Sequence, residues 1–175
     1  MGKTVISFGL NSKDINRAIK EIKQYKQELE QKLDIYRERL ADEITKEAQT
    51  IFNSSTVDDV VKGGSSHKAD VDVSFSSSGN ITVIVAIGED AVWCEFGSGV
   101  YHNGSAGSSP NPYGADLGFT IGSYGLGRGK QSAWGYYDES KQLVITRGTP
   151  ATMPMFNAAK IVASKAISIA KEVFK

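Results

Sequence analysis

The chain has 175 residues, of which 40% are hydrophobic and 23% are charged, so it is long enough for one domain with a buried core. Its 20 Lys and Arg balance its 20 Asp and Glu, which argues against generic binding of nucleic acid or of a membrane surface. The single cysteine, Cys94, excludes an internal disulfide and suits a reducing cytoplasm. No run approaches the roughly 18–20 apolar residues of a membrane span, and the N-terminus lacks the pattern of a signal peptide. We therefore expect synthesis in the cytoplasm.

The first third of the chain predicts a short strand and a long helix. Residues 4–10 favour the strand, and Asn11 or Ser12 is a candidate N-cap for the helix. Over 14–52, apolar residues return at steps of three and four in a mostly heptad-like series that Lys26 interrupts. A helix over 14–52 is about 60 Å long at 1.5 Å per residue. Because this exceeds the width of a small domain, part of it should bend or pack on something else.

The middle of the chain predicts a loop followed by a β-hairpin. Residues 53–69 are polar and favour a mobile linker or loop. Val71, Val73 and Phe75 then alternate with polar residues, and residues 77–80 favour a turn before a second strand over 81–87. The segment AVWCEF, 91–96, predicts either a third strand or a short helical start.

The last part of the chain predicts an insertion, two strands and a closing helix. Residues 97–131 are glycine-rich and are expected to form a flexible insertion loop, with mobility over 97–129 in the free subunit. Strands follow over 134–137 and 143–146, and an amphipathic helix over 155–174 begins just after Pro154. The element order predicts a single α+β domain, with a long N-terminal helix, an antiparallel meander and a C-terminal amphipathic helix packed on the sheet.

The glycine-rich stretch GSYGLGRGKQSAWGYY, 122–137, does not fit a phosphate-binding loop. Tyr124 stands where that pattern needs a glycine, and Gln131 stands where it needs Ser or Thr. The glycines at 125, 127 and 129 are also spaced wrongly for a dinucleotide fingerprint. We expect no nucleotide cofactor.

The sequence does not fit the usual catalytic or metal-binding patterns either. Ser98 lies in Phe-Gly-Ser-Gly, where a nucleophile elbow would have glycine in place of Phe96. The histidines at 67 and 102 lie in polar loops, and no ligand spacing recurs around Cys94 and Glu95, which a strand would point to opposite faces. We interpret Cys94 as a small core residue and predict no enzyme, no metal and no cofactor.

Two segments carry a resemblance to a known family. The first motif, 92–99, reads VWCEFGSG, and the second motif, 148–159, reads GTPATMPMFNAA. With FGLNSKDINRAIKEIKQY at the N-terminus, they resemble the "gene product ten" tail-component family of HK-type lambdoid bacteriophages. Glu95, Phe96, Gly97, Ser98 and Gly99 match the family's strand-end motif. Pro154, Met155, Phe156 and Ala159 match its helix-start motif, and the insertion between the motifs departs from the family.

The resemblance implies a structural virion protein of the head–tail connector, similar to tail-completion, tail-terminator or adaptor proteins. The implied partners are copies of itself in a cyclic ring, with a hexamer as the candidate, and neighbouring portal-side adaptor, tail-terminator and tail-tube proteins. DNA would pass through non-specifically, and no membrane is involved. The implied location is the neck or tail of the virion, after synthesis in the bacterial cytoplasm. The candidate interface residues are Glu95, Phe96, Gly97, Gly99, Tyr101, Tyr113, Tyr124, Arg128, Lys130, Pro154 and Phe156.

Three alternatives remain open from the residues alone. Aromatic residues of the insertion, such as Tyr124, could stack on bases while Arg128 and Lys130 contact phosphates, which would make the chain a nucleic-acid-binding module. The long helix could drive a coiled-coil scaffold. Glu95 could cap the N-terminus of the last helix or pair with an arginine of a neighbouring subunit.

Overall fold

The computed structural model describes residues 6, 8–99, 109–119 and 133–175, without the side chain of Trp134. The element order is α1 (Ser12–Ser54), β1 (Thr56–Val57), β2 (Asp59–Lys62), β3 (His67–Lys68), β4 (Asp72–Ser78), β5 (Ile81–Ile87), α2 (Ala91–Phe96), β6 (Trp134–Tyr137), β7 (Leu143–Gly148) and α3 (Pro154–Val173). The α+β class is confirmed, with a long first helix, antiparallel sheets and a C-terminal helix.

Helix α1 is continuous over 43 residues, about 65 Å at 1.5 Å per residue. Asn11 is its N-cap, and its side-chain oxygen accepts a hydrogen bond from the Asp14 N–H at 2.9 Å. Residues 6 and 8–10 are not in a strand, so the strand predicted over 4–10 is wrong there, because the chain turns directly into this cap. The other residues of that predicted strand lie outside the described part.

Helix α3 packs along α1 in the antiparallel direction, so the prediction that it packs on the sheet is wrong. The Lys165 ammonium contacts Glu47 at 2.8 Å, and near the other end of α3 the Arg39 guanidinium contacts Glu172 at 2.8 Å. Ala41 and Ile169 are buried between these two ion pairs, and Ala48 and Ala158, beyond the Glu47–Lys165 pair, are fully buried. The amphipathic stripe of α3 indicates that one face is covered but does not indicate by what.

The strands form three separate antiparallel sheets in the described residues rather than one meander. The hairpins β4–β5 and β6–β7 are confirmed, and β2 pairs with β7 to give the order β2–β7–β6. β1 pairs with β3. The loop predicted over 53–69 is therefore partly wrong, because it holds β1, β2 and β3, which are too short and too polar to show an alternating pattern.

A small core lies where α1 ends. Phe52 and Cys94 are fully buried and pack with Val57 and Val71. Burial raises the pKa of the Cys94 thiol to about 11, so it is a protonated core residue as predicted. α2 is helical, which decides between the two predictions for 91–96, and the first motif therefore ends a helix rather than a strand.

Candidate assembly site

The two motifs lie side by side. The carbonyl of Cys94 accepts hydrogen bonds from the N–H groups of Thr152 and Met153 at 2.9 and 3.0 Å. Ser98 donates its N–H to the Thr149 carbonyl and accepts the Thr149 N–H on its Oγ, both at 2.9 Å. Because Ser98 Oγ is engaged in this way, the motif serine holds the backbone of the second motif in place.

Glu95 caps α3. Its Oε2 accepts the Met155 N–H at 2.8 Å, and its Oε1 accepts the Phe156 N–H at 3.1 Å. The helix needs this cap because its own N-cap residue, Met153, has no capping side chain. The first of the two readings of Glu95, the capping role, is the one the geometry supports.

Asn111 completes the environment of the buried carboxylate. Its Nδ2 donates to Glu95 Oε1 at 2.8 Å, and the Asn111 residue is only 2% exposed. Burial raises the pKa of Glu95, and the hydrogen bonds from Met155, Phe156 and Asn111 oppose that rise. Glu95 thus binds the insertion as well as α3, and both of its oxygens are used in holding the fold.

The glycines of the motifs are required by the backbone. Gly97, at the end of α2, has φ of 76°, and Gly99 has φ of 61°. Gly148 has φ of 97°, and a Cβ there would lie 2.2 Å from the carbonyl oxygen of Ser98. These conformations allow the two motifs to approach through their backbones.

An apolar cleft opens beside the capped helix. It has a volume of about 490 Å³, and its lining side chains are Glu95, Phe96, Asn111, Tyr113, Leu117, Met155, Phe156, Ala159 and Lys160. Phe96 stacks on Phe119 with ring centroids 4.3 Å apart, and Tyr113 meets Phe156 edge-on at 6.1 Å. Phe96 and Phe156, one from each motif, both line the wall of this cleft.

The candidate interface residues divide into three groups. Glu95, Phe96, Tyr113 and Phe156 meet at the cleft. Gly97, Gly99 and Pro154 shape the backbone around it. Tyr101, Tyr124, Arg128 and Lys130 lie outside the described residues, as does most of the predicted 97–131 loop. The nucleic-acid alternative depends on these last residues, and the mobility of the loop stays a prediction.

Sequence reasoning missed Asn111 and Phe119. Both lie in residues 109–119, the described part of the insertion, which folds against α2: the hydroxyl of Ser109 donates to the Phe96 carbonyl at 2.5 Å. An Asn-Pro-Tyr turn at 111–113 was the available signal. A turn signal does not reveal that the asparagine side chain is buried on a carboxylate.

In the described part of the chain, no three His, Cys, Asp or Glu side chains are grouped so that they could hold a metal ion. None of the described helices combines the length and the apolar character needed to cross a bilayer.

Comparisons of the chain with models of protein families, with curated proteins and with solved structures each gave no significant match.

Proposed function

We propose that the protein is a structural subunit of the neck of a tailed bacteriophage, where it assembles with copies of itself and with connector or tail proteins. The resemblance of the two motifs to a phage tail-component family supports this proposal. The contact between those motifs supports a structural role as well. The side-chain oxygens of Glu95 and Ser98 accept hydrogen bonds that hold the fold together.

The observation that carries the proposal is a regular apolar surface that the chain leaves uncovered. On β5, Ile81, Val83, Val85 and Ile87 are 68%, 50%, 41% and 65% exposed. A row of this kind on a single chain marks a surface for another protein rather than a catalytic centre. Assembly, in which such rows are covered by neighbouring subunits, is the function that this surface supports best.

The composition of purified virions tests the proposal. We expect mass spectrometry of density-banded particles to find the chain at a constant ratio to the portal protein, as a ring subunit would be. The matched control is a non-structural phage protein of similar abundance in the lysate, which should be depleted from the band. If the chain is abundant in the lysate and absent from the band, the proposal fails.

The nucleic-acid alternative has its own readout. Salt-dependent binding of DNA, lost in the double variant R128A/K130A, would favour that function. A neck subunit through which DNA only passes should bind it weakly, with no dependence on these two residues.

A further inference from the structure

Strand β5 has the composition of a strand that is buried on both faces. Its sequence, ITVIVAI, is apolar at nearly every position, which is typical of strands covered on both sides. Only one of its faces is covered here: Ala86 packs on the core, and exposure alternates along the strand. The opposite face, with Ile81, Val83, Val85 and Ile87, is open, so the strand is half-covered.

The open face is a shallow surface with an acidic end. Directly paired residues lie on the same face of a sheet, so Ser78, Ser76, Ser74 and Asp72 lie beside Ile81, Val83, Val85 and Ile87. We name these eight residues the outer face. The serines are small, which leaves room for an element lying over β5. Asp72 is exposed and puts a carboxylate beside Ile87.

The first half of α1 carries a matching row. The described contacts with α3 end near Lys32, whose ammonium meets the carbonyl of Lys175 at 3.0 Å, and the β4–β5 hairpin ends at Gly79, which contacts Arg37. Residues 12–31, here named the arm, extend past both. Ile15, Ile19 and Ile22 lie on one side of the arm and are 39%, 45% and 53% exposed. Ala18, about 60° around the helix from Ile15, is buried, so the open part of this row is the flank away from Ala18.

We propose that the arm of one copy docks on the outer face of a second copy of this chain, with Ile15 near Ile81 and Lys26 near Asp72. The partner identity rests on the proposed function, and the contact deepens it by naming the surfaces that join subunits. The two rows have similar lengths: Ile15 to Lys26 spans about 17 Å of helix, and Ile81 to Ile87 spans about 20 Å of strand.

Charge fixes the direction of the arm. Lys26 follows Ile22 by one helical turn and so lies on the same side of the arm, whereas Lys20 lies about 140° around the helix from Ile15. Among the described residues Lys26 pairs with Glu30 at 3.7 Å, and this exposed pair is easily exchanged for another partner. With the row of isoleucines over β5, Lys26 reaches the end of the outer face that carries Asp72.

The arm of a chain cannot cover the outer face of the same chain. α1 is one continuous helix, so the arm points along its axis beyond the hairpin tip and cannot turn back over β5. Each copy therefore gives one arm and receives one. Two copies that exchange arms would close as a dimer, whereas in the ring of the proposed function each arm goes to the next copy, which is a heterologous contact. A single arm contact is small compared with the roughly 800 Å² per partner of a stable dimer, so we expect monomers when dilute and rings when concentrated.

Disulfide trapping tests the contact directly. I22C and V85C, made in separate chains of different mass, should give a mixed I22C–V85C dimer when oxidised together. Cys94 stays in place because it is fully buried. The matched control is K20C, on the other side of the arm, which should give no mixed dimer with V85C. A chain carrying both I22C and V85C should give a ladder of oligomers.

Other products overturn the proposal. I22C–I22C dimers alone mean that the arms form a coiled coil, and V85C–V85C dimers alone mean that outer faces pair with each other. No crosslink at millimolar protein also overturns it. If the chain is found in virions but gives no mixed dimer, this contact is wrong and the proposed function stands. If the mixed dimer forms but the chain is absent from virions, this contact is right and the proposed function is wrong.

A charge exchange gives a second, independent test. K26E and D72K should each weaken oligomerisation in sedimentation velocity, and the double variant K26E/D72K should restore it, because the pair is re-formed with its signs exchanged. K20E changes the charge equally and should have no effect. If the double variant is weaker than either single variant, Lys26 and Asp72 do not meet.

Discussion

At the scale of single residues, Glu95 contributes most to the junction of the two motifs. We expect E95A to lower the free energy of unfolding by about 2–3 kcal/mol, because Met155, Phe156 and Asn111 all lose their acceptor. Urea denaturation at pH 7 measures the change. E89A removes an exposed carboxylate just before α2 and should cost under about 0.5 kcal/mol. Equal effects of the two variants would show that Glu95 is not the cap.

The pH dependence of stability tests the burial of the same carboxylate. Free Glu titrates near 4.5, and burial raises the pKa of Glu95 in the folded chain. The folded state therefore holds this proton more tightly than the unfolded state does, and the stability from that difference is present below pH 4.5 and is lost as pH rises through the folded value. We expect the wild type to lose stability relative to E95Q as the pH rises above 4.5. A gain over the same range would mean that the hydrogen bonds outweigh burial.

The glycine at position 148 is the residue-scale test of the close backbone contact. An alanine there would place its Cβ 2.2 Å from the Ser98 carbonyl oxygen at φ of 97°, so G148A should cost at least about 2 kcal/mol. G79A is the matched control, because Gly79 also has positive φ, 54°, but has nothing within 4 Å of the added Cβ. G79A should cost only about 1 kcal/mol. Similar losses in thermal or urea denaturation would contradict the contact.

At the scale of elements, the end of α1 is held by its core rather than by ion pairs with α3. F52A should cost about 3–5 kcal/mol, since Phe52 is fully buried against Val57, Val71 and Cys94. R39A breaks an ion pair with Glu172 whose side chains are 46% and 51% exposed, and it should cost less than about 1 kcal/mol. Equilibrium denaturation of both variants checks this order, and a larger loss in R39A would reverse it.

Elements with a long pattern could be predicted from sequence, and short ones could not. The helix expected over 14–52 is observed as Ser12–Ser54, and the helix expected over 155–174 as Pro154–Val173, because apolar periodicity accumulates over many turns. β1 and β3 have two residues each and are formed by pairing across the chain. α2 has only six residues, too few for its sequence to distinguish a strand from a helix.

The candidate site was predicted in part for the same reason. Glu95 was singled out by the motif that it shares with the family the chain resembles, with capping as one of two roles left open, and Pro154 by the local rule that proline favours a helix start. Asn111 and Phe119 come from an insertion without periodicity and reach the site through tertiary packing. The packing of α3 on α1 could not be predicted either, because the apolar stripe of α3 shows that one face is covered but not which element covers it.

At the scale of the whole molecule, three apolar surfaces of the described residues lie where another subunit could reach them. The arm extends beyond α3, the outer face of β5 looks away from α1, and the cleft beside Phe156 is open at Tyr113 and Leu117, which are 61% and 62% exposed. In the proposed contact the arm and the outer face are separate surfaces, as a ring of identical subunits requires. The neck as the location rests on the resemblance of the two motifs and stays a proposal.

Assembly in the absence of the protein tests the proposed neck function most directly. If the proposal is right, an amber mutation in the gene of this protein should give phage lysates in which electron microscopy finds DNA-filled heads and tails that are not joined. Adding the purified wild-type chain should restore joined, infectious particles, whereas the charge variant K26E should restore fewer. Normal joined virions formed without the protein would contradict the account.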